Sequence, residues 1–390
     1  PPKAAYANDA PMRDCDRSAI EFVQVLAAPE PTEFDYVPAV RPIDLSTRRF
    51  TRVIDRSWTR TSYSGLTAAL HETPGQLMTA TSAASSADPT DQTDEPLEMM
   101  ITDPSATTGP ESVDFDGELS SALAGLPGGT QFGSIVHEIL EQTDPGSPAL
   151  QMSLLARCAV ASMTGGLTID PQALARGLEQ VLTTPLGGLT DGLSLAELGK
   201  ANQLAEFDFE MPMGGAELAT LAELARLIDA PQYRDPNDVL VGYGEQLASS
   251  PAGATVLNGF LTGSIDVVLR ANVAGQQKFI VLDYKTNRIP LVDQELRPSH
   301  YNQAAMEQIM RDSHYPLQAV LYSVALHRYL NSRLPNYEPA SHLGGIGYLF
   351  VRGMAGPSTP MDGIAPFGVF TWQPDPQLVV RASEIIAGGR

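Results

Sequence analysis

Lysine is scarce in this chain. Only Lys3, Lys200, Lys278 and Lys285 are present, and arginine supplies the rest of the 25 basic residues. A guanidinium meets any generic surface need, whereas a lysine is a compact point charge that the arginine fork cannot imitate. A lysine retained in such a chain marks a place to look. Cysteine is almost absent. Cys15 and Cys158 are too few for a zinc cage or an iron–sulfur cluster, and they suit a reducing, cytoplasmic compartment. No apolar run approaches the ~20 residues that span a bilayer, and no signal-peptide pattern is present. Positive charge is also short. The net charge of −21 excludes indiscriminate nucleic-acid binding through a basic surface, and no Lys or Arg occurs between Arg60 and Arg157. The acidity is therefore concentrated in one tract, expected away from the working surface. No G-x-x-x-x-G-K-[ST] is found, and Gly199-Lys200 is followed by Ala, so this fragment has no ATP site. Neither G-x-S-x-G nor G-x-G-x-x-G occurs in a strand–helix context.

What remains is a chain of 390 residues with 43% hydrophobic content, enough for two or three compact domains. Its first residue is Pro, which reads as an excised C-terminal piece of a longer protein or a processed product. Residues 1–58 are proline-rich and irregular, with a short helical stretch at Ser18–Ala28 and strand-like segments within 41–54. They read as the end of a preceding domain and its tether. Residues 83–118 are rich in Ser, Thr, Pro, Asp and Glu and poor in aromatics, the composition of a disordered acidic insertion. Replacing them with a short Gly/Ser linker is expected to leave stability nearly unchanged. A helix is expected from Thr61, with Thr61 or Ser62 as N-cap, ending before Pro74. Helical periodicity recurs at Phe132–Gln142, Pro148–Met163, Pro171–Leu182, Ala216–Leu227 and Pro316–Tyr329. Strand patterns fall at Ala205–Glu210, Leu261–Leu269, Lys278–Tyr284 and Gly345–Val351, with a hairpin turn near Gly275 and a short C-terminal helix.

Two strands carry the chemistry. They are Gly263-Ser-Ile-Asp266 and Ile280-Val-Leu-Asp283-Tyr-Lys285-Thr-Asn287. Alternation places Asp283 and Lys285 on one face and Leu282 and Tyr284 on the other. A carboxylate and a lysine at the end of an apolar strand suit metal-assisted hydrolysis, with the acid as ligand and the lysine acting on the attacking water. His137 and Glu141 share a helix face at i,i+4, though not as the H-E-x-x-H of zinc proteases. Glu206 opens the Phe-Asp-Phe strand and is a candidate fourth acid. Gln318 and Tyr322 are polar among Leu, Val and Ala, so they need hydrogen-bond partners: Lys285 and a substrate phosphate, or backbone groups. Arg288 and Arg352 are candidate phosphate ligands or solvent-exposed charges.

In order along the chain, His137, Glu206, Asp266, Asp283-Tyr284-Lys285 and Gln318-x-x-x-Tyr322 resemble the motif series of RecB-type nucleases of the PD-(D/E)XK superfamily. Gly133-Ser-Ile-Val-His137, Gly263-Ser-Ile-Asp266, Leu282-Asp-Tyr-Lys-Thr-Asn287, Tyr315-Pro-Leu-Gln-Ala-Val-Leu-Tyr322, Ala325–Leu330 and Gly344–Gly353 look like the C-terminal nuclease domain of the beta subunit of RecBCD exonucleases. Thr61–Leu66 resembles the start of that domain. The resemblance covers residues 59–390 and is most specific from 261 onward. It departs from the AddB-type and CRISPR-associated relatives in lacking their iron–sulfur cysteines.

The resemblance implies an α/β restriction-endonuclease-like core, a mixed sheet flanked by helices. It implies Mg²⁺-dependent cleavage of DNA, with Mn²⁺ admitted by the imidazole. Asp266 and Asp283 would ligate the metal, completed by His137 and the Tyr284 carbonyl. Lys285 would position water, Glu206 would assist, and Gln318 and Tyr322 would orient Lys285 or the DNA. The implied partners are linear double-stranded ends and single strands, RecC-like and RecD-like subunits, and a RecA recombinase. Two other readings are a catalytically silent docking module and a stand-alone structure-specific endonuclease. From the residues alone, removing Asp266 or Asp283 is expected to leave the metal-free fold unharmed or more stable, since like charges are separated.

Overall fold

The computed structural model describes residues 58–71, 119–164, 166–215, 218–235, 238–290 and 294–389. All belong to the compact unit Asp55–Arg390. The tether up to residue 57, with its expected helix and strands, and the acidic insertion 83–118 lie outside the described residues.

The centre is a six-stranded mixed sheet. Its strands are β1 (Thr59–Thr61), β2 (Gln203–Met213), β3 (Gly259–Val273), β4 (Gln276–Lys285), β5 (Leu343–Phe350) and β6 (Val369–Trp372). β3 and β4 form the expected hairpin, from Val273 opposite Gln276 to Val267 opposite Leu282. The two loop residues, Ala274 and Gly275, have φ of 50° and 78°, the left-handed pair that matches strand twist. β4 runs parallel to β5, and β5 antiparallel to β6. β2 lies antiparallel along β3 from end to end, and β1 pairs with β3 in parallel at Gly259–Leu261. Since β2 fills one edge of β3, β1 and β4 share the other. Between Leu261 and Val267 that edge has neither.

Helices cover both faces, as expected. On one lie α1 (Tyr63–His71), α5 (Leu221–Ile228), α6 (Gln303–Asp312), α7 (Tyr315–Arg333) and α8 (Pro376–Ile386); on the other lie α2 (Thr130–Gln142), α3 (Leu150–Thr164) and α4 (Pro171–Thr183). β4 shows why two cores form. Val281 packs into the first, while Ile280, Leu282 and Tyr284 pack into the second, because successive side chains alternate. Residues 280 to 285 are all buried, as a strand covered on both faces requires.

Capping sets the helix starts. Ser62 Oγ accepts the Gly65 N–H at 3.3 Å, so Ser62 is the N-cap of α1. Asp170 caps α4 through the Gln172 N–H at 2.9 Å, with Pro171 in the first turn. The helix expected at Ala216–Leu227 begins only at Leu221. Thr220 and Glu223 form a capping box there, and Ala219–Thr220 pair instead with Val256–Leu257. α7 outruns its expected span at both ends. α6, β6 and β1 are elements the periodicity did not mark.

Candidate active site

Asp266 stands where the sheet opens. Beyond the pair Val267–Leu282, β3 and β4 part, and the next Asp266 and Asp283 are no longer ladder partners. The Asp266 side chain takes over from the ladder: Oδ2 accepts the Tyr284 N–H at 2.7 Å. In an extended strand a residue's N–H and C=O point to the same edge, so the Tyr284 carbonyl also faces this gap. Asp266 Oδ1 lies 3.4 Å from His137 Nδ1, supplied by the buried-faced helix α2. The His137 ring meets the Tyr284 ring edge-on at 6.0 Å.

The strand loses its alternation at the same point. Ile265 belongs to the first core and Val267 to the second, although residues two apart on a regular strand share a face. β2 breaks in step. Pairing continues on either side at Phe207–Ile265 and Ala205–Val267, while Glu206, between them, has a φ of 46°. A positive φ on a non-glycine residue is costly, and such strain gathers at functional sites. Glu206 is thereby set against Asp266. Its Oε2 accepts from Ser264 Oγ at 2.9 Å.

Asp283 and Lys285 do share a face, and they meet as an ion pair at 2.7 Å with side chains each 3% exposed. Lys285 Nζ lies 4.4 Å from the centroid of the Tyr315 ring and 5.7 Å from that of Tyr348. Those two rings stack at 5.5 Å. The lysine thus sits on an aromatic floor with a carboxylate beside it, a setting that holds an ammonium in one place.

The acids are pushed in different directions. Burial, opposed by Lys285 and reinforced by Asp266, raises Asp283 to about 7. Burial also works against Asp266, but His137, Lys285 and the Tyr284 N–H outweigh it, so its carboxyl falls below the usual range. Burial first and the Asp266 charge second raise Glu206. One acid is ionised throughout the neutral range while another is poised to exchange a proton, a separation typical of reactive sites.

Gln318 and Tyr322 lie buried on α7, one turn apart, where Gln318 Nε2 donates to Tyr322 Oη at 3.1 Å. Tyr348 Oη donates to Gln318 Oε1 and to the Tyr315 carbonyl, each at 3.1 Å. Gln318 thus bonds both Tyr322 and Tyr348, and Tyr348 belongs to the aromatic floor beside Lys285. Tyr315 and Tyr348 went unassigned in the sequence. The usable signal was an aromatic at the start of α7 and another among the inward positions of an apolar strand. Ser264 was overlooked because a serine in a strand carries no signal.

Both readings of Arg352 are corrected. It is fully buried; its guanidinium lies 4.7 Å from the Phe132 ring centroid and donates to the carbonyls of Thr286 at 2.9 Å and Leu123 at 2.8 Å, as well as to Leu126 and Pro127. It staples the segment before α2 to the end of β4. Arg288 likewise donates to the Gln294 carbonyl at 2.7 Å and the Ala124 carbonyl at 3.4 Å.

Among the described residues, no group of three or more His, Cys, Asp or Glu side chains is placed as a ready-made metal cage. The donor set nevertheless fits a hard cation that keeps most of its waters, which needs only one or two carboxylates. Asp266 and the Tyr284 carbonyl stand at that gap, and Asp283 is near enough for the two carboxyls to feel each other's charge. Cys158 is a buried thiol pushed up to about 12, remote in character from a metal ligand. No described helix is long and apolar enough to cross a membrane.

No family model matches the chain. Among curated proteins it is 40% identical over 354 residues to the RecBCD enzyme subunit RecB of Mycolicibacterium smegmatis, covering 90% of this chain and 31% of that protein. It is 38% identical over 353 residues to RecB of Mycobacterium tuberculosis, covering 88% of this chain and 30% of that one. To RecB of Escherichia coli it is 29% identical over 266 residues, 67% of this chain and 20% of that protein. The chain thus spans about a third of the length of the mycobacterial relatives it matches.

Proposed function

From a chain that is RecB-like along about nine-tenths of its length, we propose that residues 59–390 are a metal-dependent DNA nuclease domain. In this reading it hydrolyses phosphodiester bonds within a RecBCD-type helicase–nuclease that processes double-strand DNA ends for recombination and repair. Its partners would be linear DNA ends and single strands, RecC-like and RecD-like subunits, and a RecA recombinase. One observation carries the reading: a buried lysine locked against Asp283 beside an ionised Asp266, at the point where two strands part.

Asp266, Asp283, the Tyr284 carbonyl and His137 would hold Mg²⁺, with Mn²⁺ tolerated by the imidazole. The chemistry the ion supplies is Lewis-acid polarisation of the phosphoryl oxygen and acidification of water. The residues do the rest. Asp266 is already ionised, so its negative charge is present before substrate arrives. Asp283 loses its proton near neutrality and shares its carboxylate between Lys285 and the gap. Lys285 donates a hydrogen bond to the attacking water or to the charge that develops on phosphate, from a position fixed by Tyr315 and Tyr348. Glu206 keeps a proton longer than an ordinary glutamate and can pass it at the edge of the site. Gln318 and Tyr322 act by holding Tyr348 in place.

The test is degradation of an end-labelled linear duplex by the 390-residue chain with Mg²⁺, beside Asp283→Asn. Mg²⁺-dependent cleavage lost in the variant is the expected result. Absence of cleavage by the parent, under conditions where it binds DNA and metal, would leave the silent docking module.

A further inference from the structure

The face of β3 that carries Asp266 continues outward past the acids. From Gly259 to Ile265 the odd residues Leu261 and Ile265 pack into the first core, which turns Phe260, Thr262 and Ser264 the other way. The second core meets this strand only from Val267 onward. Among the described residues neither core covers this outward face, and two aromatic rings stand at its end. Trp58 is 53% exposed and Phe260 38%, and their rings meet edge to face at 6.2 Å. Beside them Arg60, in register with Phe260, reaches across to Glu210 at 2.7 Å and offsets one of the acids on this face. Thr262 and Ser264 line the path from the rings to the acids. Six residue steps along the strand carry Phe260 to Asp266, about 20 Å at 3.3 Å per step.

We propose that Trp58 and Phe260 form a stacking subsite for an unpaired nucleobase of the DNA strand whose phosphate reacts at Asp266. The proposal rests on the nuclease reading above. Exposed aromatic rings beside a polar track are the means by which proteins hold single strands without reading sequence, since every base offers a π-face. Such a mode also suits a protein with little positive charge to spend on phosphates. The spacing fits. A strand at the 3.4 Å spacing of a duplex covers the interval in about six nucleotides, and an extended strand in fewer. A paired base is already stacked within its duplex, so the subsite selects a separated strand.

The chain's tryptophan content makes the test direct. Its other tryptophan, Trp372, is 6% exposed and donates its ring N–H to Asp238 at 3.0 Å, so a DNA-dependent change in tryptophan emission reports Trp58. The 390-residue chain is titrated, with Ca²⁺ replacing Mg²⁺, against a 12-nucleotide oligothymidylate and an abasic strand of equal length. Binding is followed by anisotropy and by emission together. The expected result is saturable quenching by the oligothymidylate but not by the abasic strand, absent in Trp58→Leu. The double variant Trp58→Leu/Phe260→Leu is expected to bind the oligothymidylate about tenfold more weakly. Binding without quenching, equal quenching by the abasic strand, or unchanged affinity in the double variant each overturns the subsite and leaves the nuclease reading standing. A parent chain that neither binds the oligonucleotide nor cleaves it with Mg²⁺ overturns both.

Discussion

Two acid–base pairs are built on the acids of neighbouring strands and differ in almost every respect. Asp283 and Lys285 meet at 2.7 Å with side chains 3% exposed, over a stacked tyrosine floor. Asp266 and His137 meet at 3.4 Å, exposed by 14% and 19%, where β3 has lost its strand partner. The first pair is sealed and rigid, with a carboxyl still binding its proton near neutrality. The second is less deeply buried, and its carboxyl is held below the usual range. A hydrolytic site needs both characters: a fixed donor that does not reorganise during reaction, and an accessible anion that receives what arrives from solvent.

The contrast can be broken at several points. The largest effect is expected from Asp283→Ala in the metal-free protein. It leaves the Lys285 ammonium buried without its carboxylate, a change that costs roughly 3–5 kcal/mol. Asp266→Ala strands the Tyr284 N–H and takes the carboxylate from His137, at roughly 1–3 kcal/mol. Urea unfolding of both variants measures the difference, and equal losses would end the distinction between sealed and open pairs. The sequence alone argued that neither removal would harm the fold. The structure argues a cost for both, because each carboxylate has a private partner.

Next in size, Lys285→Ala is expected to slow single-turnover cleavage by about 10²–10³, with metal affinity by calorimetry little changed at alkaline pH, where the Asp283 proton no longer competes. Lys285→Arg should recover little, since a fork cannot occupy the place of a point charge above Tyr315. Near-parental cleavage by Lys285→Ala would return the lysine to a structural role. A smaller loss, about 10- to 100-fold, is expected for His137→Ala. His137 supports Asp266 from a half-open position, and a loss as large as that of the lysine variant would contradict the ranking.

The contrast also shows in pH dependence. The folded-state value of Asp283 is raised to about 7 against about 3.9 in the unfolded chain. The folded state therefore binds more protons between those values, and this carboxyl makes stability fall as pH rises from about 4 to about 7. Asp266 has the opposite sign: its lowered value contributes stability at neutral pH that is lost as pH drops below the ordinary carboxylate range. Denaturation curves across this range should show the fall largely lost in Asp283→Asn and partly reduced in Asp266→Asn, which removes the neighbouring charge that helps raise Asp283. Metal affinity should climb until about pH 7, as the proton on Asp283 ceases to compete.

Much of this was legible in the sequence because it depended on alternation and local punctuation. The shared face of Asp283 and Lys285 follows from their spacing, the hairpin from its spacing and Gly275, and the start of α4 at Pro171 from helical periodicity. What escaped depended on distant chain. The aromatic floor joins Tyr315 on α7 to Tyr348 on β5, and nothing local in either segment announces a lysine above it. Arg352 escaped for the same reason, since its carbonyl partners Leu123, Leu126 and Pro127 lie far earlier in the chain. The helix at Leu221 was overextended because apolar periodicity outweighed the Thr220–Glu223 capping box.

The broken alternation at Glu206 and Asp266 bears on how the molecule tolerates change. Leu261 and Leu269 are side chains of one strand, yet they answer to separate cores. Substitutions on the two sides of the break should add independently in their effects on stability, whereas two within one core should couple. Each half can be repacked without the other's consent, and only the junction is held to a single solution. A lineage of such proteins is free to drift on both sides of the site while the strand between them stays put.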